Sequence, residues 1–254
     1  MLAREIAEAA RRRKKLSYLP ARFSEGASEG NAIARLTPNL REAIIATALA
    51  SFRPDRIRTS WERWLAEELD APTLRIGLQW ERSELGSRIN RLELEAEAPE
   101  QAAARKEFVV QLIKRGAPVD DTRGRACAQK DILDGSAEAA LPFLEAMAAT
   151  GVMVVSAQQA PSPDMDMVGQ LIVAIRPMLR DTARQAPLAE CLFTLRSLSD
   201  AEFDQVLDFL RTDAGGRYAR GSNVAMRHAL LDVTDVFTRT MVDVARQLKG
   251  GGEI

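Results

Sequence analysis

The sequence predicts an all-α protein: two similar antiparallel helical halves, built of helix–turn–helix units and packed as one bundle. Three observations predict it. Apolar residues recur at helical spacing along most of the 254 residues. A 23-residue pattern occurs twice. The one short β-branched run, Gly151–Val155, has no second run to pair with, so it reads as a buried helix end or an extended connector.

The elements follow in order. Glu5 and Glu8 precede the basic run Arg11–Lys15, an acid-first, base-last order that suits the helix dipole, and the run reads as a solvated helix end. Ser24–Thr37 is small and polar and reads as an interruption. Leu40–Phe52 is an alanine-rich apolar helix expected in the core. In Asp55–Leu69, Ile57, Trp61, Trp64, Leu65 and Leu69 share one face, and Pro54 occupies the first turn, where a missing N–H costs nothing. Glu100–Arg115 is a further amphipathic helix, stopped by Gly116 and Pro118. The prolines and glycines of 116–136 predict a connecting loop, which divides the chain into halves 1–115 and 137–254. Gln158–Asp164, with two prolines, is another interruption. The last helix is expected from about Asn223 to Lys249, with Met226, Leu230, Val233, Phe237, Met241, Val244 and Leu248 along one stripe and three glycines ending it.

The repeated pattern is LDAPTLRIGLQWERSELGSRINR (Leu69–Arg91) and LSDAEFDQVLDFLRTDAGGRYAR (Leu198–Arg220). The copies align without a gap at an offset of 129, with six of 23 positions identical. Chance would give about one or two identities at typical residue frequencies. The identities include Arg82/Arg211, Gly86/Gly215 and Arg88/Arg217; Trp80/Phe209 and Ser83/Thr212 keep their chemistry. Ser83 and Thr212 are predicted to cap the second helix of each unit, with Glu84 and Asp213 in its first turn. Glycine costs about 1 kcal/mol against alanine inside a helix, so Gly86 and Gly215 predict a neighbouring helix too close for a Cβ. The arginines could hold an anion at a helix N-terminus, but pairing with carboxylates such as Glu81, Asp208 or Glu93 is the reading adopted. Trp80 and Phe209 read as core or interface anchors. Helices of similar length, 55–69 and about 178–198, are expected before the two copies.

FRPDRIRTSW (Phe52–Trp61) and LRIGLQWERSELGSRINRLE (Leu74–Glu93) carry the pattern F-x-P-x-R followed by L-x-x-x-L-x-W-x-x-S-x-x-G-x-R. This resembles a bacterial family of small exported helical proteins built on a domain of unknown function. SYLPARF (Ser17–Phe23) is similar to the Leu-Pro segment that often precedes that motif, and FLRTDAGGRYAR repeats part of it. Glu84 and Asp213 stand where the family usually has proline. The resemblance implies a helical fold and export to the periplasm. It supplies no catalytic residues.

Composition prunes the functions. Lys plus Arg is 35 and Asp plus Glu 36, a net charge of -1, which speaks against a dedicated nucleic-acid binder. No run reaches the roughly 18 consecutive apolar residues of a membrane helix; the best is Ala43–Phe52. The single histidine, His228, excludes multi-histidine metal sites within one chain. Cys127 and Cys191 fit two buried thiols or one disulfide, and separate thiols are the reading adopted. No P-loop or dinucleotide fingerprint occurs. No signal-like apolar segment follows the basic run, so the compartment is periplasmic if a leader was removed and cytoplasmic otherwise. The expected function is non-catalytic: binding a partner protein or small ligand between the halves, without cofactor or metal, as a monomer or a homodimer. Two alternatives stand beside it. One is a carboxylate enzyme, for which Glu93, Glu95 and Glu97 or His228 with Asp232 would serve, although both groups read as solvated surface. The other is a membrane-surface or nucleic-acid contact through Arg11–Lys15.

Overall fold

The computed structural model describes residues 1–19, 38–115, 121–159 and 165–250. Ser24–Thr37, most of the Leu-Pro segment and the final residues lie outside the described residues. The described residues form α-helices α1 (Leu2–Ala9), α2 (Arg12–Leu16), α3 (Pro38–Ser51), α4 (Pro54–Glu68), α5 (Ala71–Arg82), α6 (Glu84–Glu97), α7 (Ala102–Arg115), α8 (Thr122–Asp134), α9 (Ser136–Gln159), α10 (Met165–Thr194), α11 (Asp200–Arg211) and α12 (Asp213–Gly250). A 3-10 turn, Pro99–Gln101, leads into α7, and the described residues contain no strand. The all-α expectation holds.

Local chemistry sets the ends. Pro54 opens α4. Asp70, Asp121 and Ser199 cap α5, α8 and α11 by accepting backbone N–H bonds from Thr73, Gly124 and Glu202. Gly135 closes α8 in the left-handed conformation, φ 68°.

Two apolar cores result. The larger joins α1–α5 to the C-terminal two-thirds of α12 and is centred on Trp61, Ile57, Leu65, Phe52, Phe237 and Met241. Trp61 is sealed from water, donates its indole N–H to the Ser222 carbonyl at 3.2 Å and carries the Arg12 guanidinium over its ring. Phe52 meets Phe143 of α9 and Phe237 of α12 edge-on. The smaller core gathers Phe203, Val206, Leu207 and Leu210 of α11 with Cys127, Cys191, Leu192 and Leu195, and borrows Leu85, Ile89, Leu92, Phe108 and Leu112 from the N-terminal half. Each half therefore completes the core of the other.

Several expectations are corrected. Of the stretch 116–136 expected as a connecting loop, the described residues from 121 onward instead hold α8, started by the Asp121 cap and stopped at Gly135, while 116–120 lie outside the described residues. Cys127 accordingly lies on a helix, and it is bonded to Cys191 of α10, with Cα atoms 5.9 Å apart. The separate-thiol reading fails because the α8 and α10 faces meet there. Gly151–Val155 lies inside α9, where helical neighbours satisfy its backbone. The last helix begins at Asp213, ten residues earlier than expected, and spans 38 residues, because glycines near its capped start do not break it. The helices before the two copies differ in length, 15 residues for α4 and 30 for α10. The basic run is not uniformly solvated. Lys15 is buried and bonded to Asn90 and Glu93, which also removes Glu93 from the solvated set.

One helix among the described residues is long and apolar enough to cross a membrane: Ser136–Ala157, mean hydropathy 1.6. Glu138 and Glu145 interrupt its apolar run, which hid it from a search for unbroken stretches.

Candidate functional site

The repeated pattern builds the same turn twice. Ser83 Oγ accepts the Gly86 N–H at 3.0 Å, and Thr212 Oγ1 accepts the Gly215 N–H at 3.0 Å. Each hydroxyl also donates back to the preceding helix, to the Trp80 and Phe209 carbonyls at 2.7 Å. One hydroxyl thus ties the end of one helix to the start of the next. The turn is so tight that a Cβ on Gly86 would sit 2.0 Å from the Trp80 oxygen, and one on Gly215 2.0 Å from the Phe209 oxygen. The expected crowding is real, but its source is corrected: the close neighbour is the backbone of the unit's own first helix, not a distant one.

The two turns face each other. Trp80 and Phe209 occupy matching positions, and their rings stack on one another, centroids 4.1 Å apart. Arg217 reaches Asp70, the cap of α5, at 2.8 Å. Arg88 bonds Glu202, whose carboxylate closes the α11 capping box, and donates to the Ser197 carbonyl at 3.1 Å. Matching arginines therefore cross to the start of the opposite unit's first helix. Arg82 pairs with Glu5 at 2.9 Å and Arg211 with Asp208 at 2.8 Å. All four arginines are held by carboxylates, so the motif forms a clasp whose cations are already neutralised.

Beneath the clasp runs a polar chain that sequence reasoning missed. The buried Tyr218 hydroxyl donates to Glu81 at 2.7 Å, Asn90 donates to the other Glu81 oxygen at 2.7 Å, and Lys15 donates to Asn90 and Glu93. Burial, reinforced by the Glu81 charge, pushes the Tyr218 phenol well above its ordinary value, so it stays a neutral donor. Gly77 makes room for this ring, since a Cβ there would lie 2.3 Å from it. The one available signal was the mismatch at Ile89/Tyr218, where an otherwise apolar position gains a hydroxyl.

His228 and Asp232 do not form the expected pair. His228 stacks on Trp64, centroids 4.4 Å apart, with Nε2 3.8 Å from Glu68. Asp232 instead accepts from Ser60, Arg63 and Trp64. Burial pushes its carboxyl up, but these donors outweigh it and hold it below the usual range. Of the alternating glutamates, Glu95 is exposed and Glu97 half-buried.

Three concavities stand out among the described residues. The largest, about 1070 Å³, runs between α7 and the C-terminal half of α10, one helix from each half. Ala102, Val109, Val110, Ala186, Leu188 and Phe193 line its apolar floor, with Arg105, Lys106 and Glu190 at its edges. A smaller one, about 370 Å³, lies beside the disulfide among Lys130, Asp131, Asp134 and Glu190. The third, about 620 Å³, is an open depression bordered by α1, α2 and α4. Among the described residues, no three His, Cys, Asp or Glu side chains converge as metal ligands.

No family model, curated protein or solved structure matches the chain.

Proposed function

We propose that this is a non-catalytic binding protein that takes an elongated apolar ligand, a small molecule or a partner's helix, between its halves. The observation that carries it is the groove between α7 and α10, the largest of the three concavities described above, with one wall from each half. The motif residues Trp80, Arg82, Ser83, Gly86, Arg88, Phe209, Arg211, Thr212, Gly215 and Arg217 serve this function indirectly, as the clasp that fixes the halves. Membership of the exported bacterial family is part of the same proposal. The Cys127–Cys191 bond supports an oxidising compartment such as the periplasm.

The test uses anilinonaphthalene sulfonate as an apolar probe of the full chain. Ala103→Trp and Ala186→Trp should fill the groove and abolish most of the dye's fluorescence gain. Ala174→Trp, on an exposed face of α10 away from the groove, should not. Equal dye binding by all three variants would overturn the proposal. A second reading, self-association, is favoured by the exposed Met165, Leu171, Val173 and Met178 along the first half of α10. Sedimentation of the wild type and of Leu171→Glu/Met178→Glu tests it: a dimer lost in the variant supports it, and a wild-type monomer overturns it.

A further inference from the structure

The basic run Arg11–Lys15 splits in two when folded. Arg12 lies over Trp61, and Lys15 is buried against Asn90 and Glu93. Arg11, Arg13 and Lys14 instead line the concavity between α1, α2 and α4, together with Arg4 and Arg58. Five cations thus border it against two carboxylates, Glu8 and Glu62, a local balance of +3 on a chain whose net charge is -1. The two acids are already engaged, Glu8 by Arg4 and Glu62 by Arg58. Among the described residues, no carboxylate lies within ion-pair distance of Arg11, Arg13 or Lys14. The same corner also has more N–H donors than acceptors: Arg12 Nε and Arg58 Nε are shut from water without a partner. Three such cations around one cavity carry mutual repulsion that a multivalent anion would relieve.

We propose that this concavity is a binding site for a compact phosphate-bearing anion, held by Arg11, Arg13 and Lys14. Guanidinium groups match phosphate oxygens two at a time, and the lysine adds a point charge. The depression, about 620 Å³, is large enough for two or three phosphate groups. The shared chemistry is a terminal or bridging phosphate, from a soluble metabolite or from a lipid headgroup.

Calorimetric titration of the full chain with inorganic pyrophosphate at physiological ionic strength tests it, with a second titration against vesicles of phosphatidylglycerol in phosphatidylcholine. Arg11→Gln/Arg13→Gln/Lys14→Gln should weaken pyrophosphate binding at least tenfold. Neutralising the remote Arg180, Arg184 and Arg246, an equal change in net charge, should leave it unaltered. Should the triple variant not fold, Lys14→Glu alone should weaken binding at least threefold. Vesicle binding that the triple variant loses and pyrophosphate displaces assigns the site to a headgroup; pyrophosphate binding without vesicle binding assigns it to a soluble ligand. The proposal is overturned if neither probe binds, if the variants bind as wild type, or if the remote neutralisation weakens binding equally.

Discussion

Trp80 and Phe209 stand 129 positions apart at matching places in the two copies, and their rings lie parallel within 4°. Both side chains touch both cores, so this one stack joins the two apolar clusters. Trp80→Ala and Phe209→Ala should each destabilise the protein by about 2–3 kcal/mol, below the cost for fully buried aromatics because both rings are partly exposed. In a double-mutant cycle by urea unfolding, the pair should show about 1 kcal/mol of coupling. Additive effects would mean that the stack does not join the cores.

Glycine substitutions should change sign with position. Gly151 lies within α9 and has open space where a Cβ would stand, with nothing within 4 Å, so Gly151→Ala should stabilise by up to about 1 kcal/mol through helix propensity. Gly86→Ala and Gly215→Ala push a methyl into the Trp80 and Phe209 carbonyls and should destabilise by about 1–3 kcal/mol. Melting temperatures of the three variants check the reversal.

The Cys127–Cys191 bond closes a separation of 64 residues. Chain-entropy reasoning gives such a bridge about 4 kcal/mol, which reduction should remove. Cys191→Ser should unfold at correspondingly lower urea, and the intact mass of the wild type should rise by two hydrogens on reduction.

Acid should destabilise the fold through four carboxylates, of which Asp232 with its Ser60, Arg63 and Trp64 donors is one. Burial pushes Glu93 up, but Lys15, Arg12 and Lys130 outweigh it and hold it below its ordinary range. The Thr73 side chain and backbone bonds hold Asp70 down, and the Ser199 backbone and hydroxyl do the same for Glu202. A carboxyl lowered on folding contributes stability above its unfolded value and loses it as pH falls through its folded value. Asp131, pushed up chiefly by burial, has the opposite sign and offsets part of the loss. The urea midpoint should therefore hold from neutrality to the ordinary carboxylate range and fall below it. Lys15→Met removes the main cation facing Glu93 and should make that fall shallower.

Much of the fold was legible because it rests on local chemistry. Pro54 at a helix start, the Ser83 and Thr212 caps, and the Ile57–Trp61–Leu65 face all depend on neighbours within a few residues. The errors arose where distant contacts decide. Glycines and prolines at 116–136 read as loop, yet α8 forms there because its Cys127 face packs on α10 and its ends are capped. Lys15 sits in a run that looks solvated, and only the distant Asn90 and Glu93 draw it inward. The clasp residues were named from the repeat, but that Trp80 meets Phe209 itself is invisible in spacing, since spacing does not say which copy faces which.

The crossed arrangement of the halves has a consequence for biogenesis. The core around Trp61 is built mostly from the first 80 residues, but its far wall is Ala225, Ala229, Val233, Phe237 and Met241 of α12. Synthesis therefore leaves Ile57, Trp61 and Leu65 uncovered on that side until α12 has been made. Closure of this core waits on that distant helix, a non-local pairing that is slow to form and leaves apolar surface exposed meanwhile.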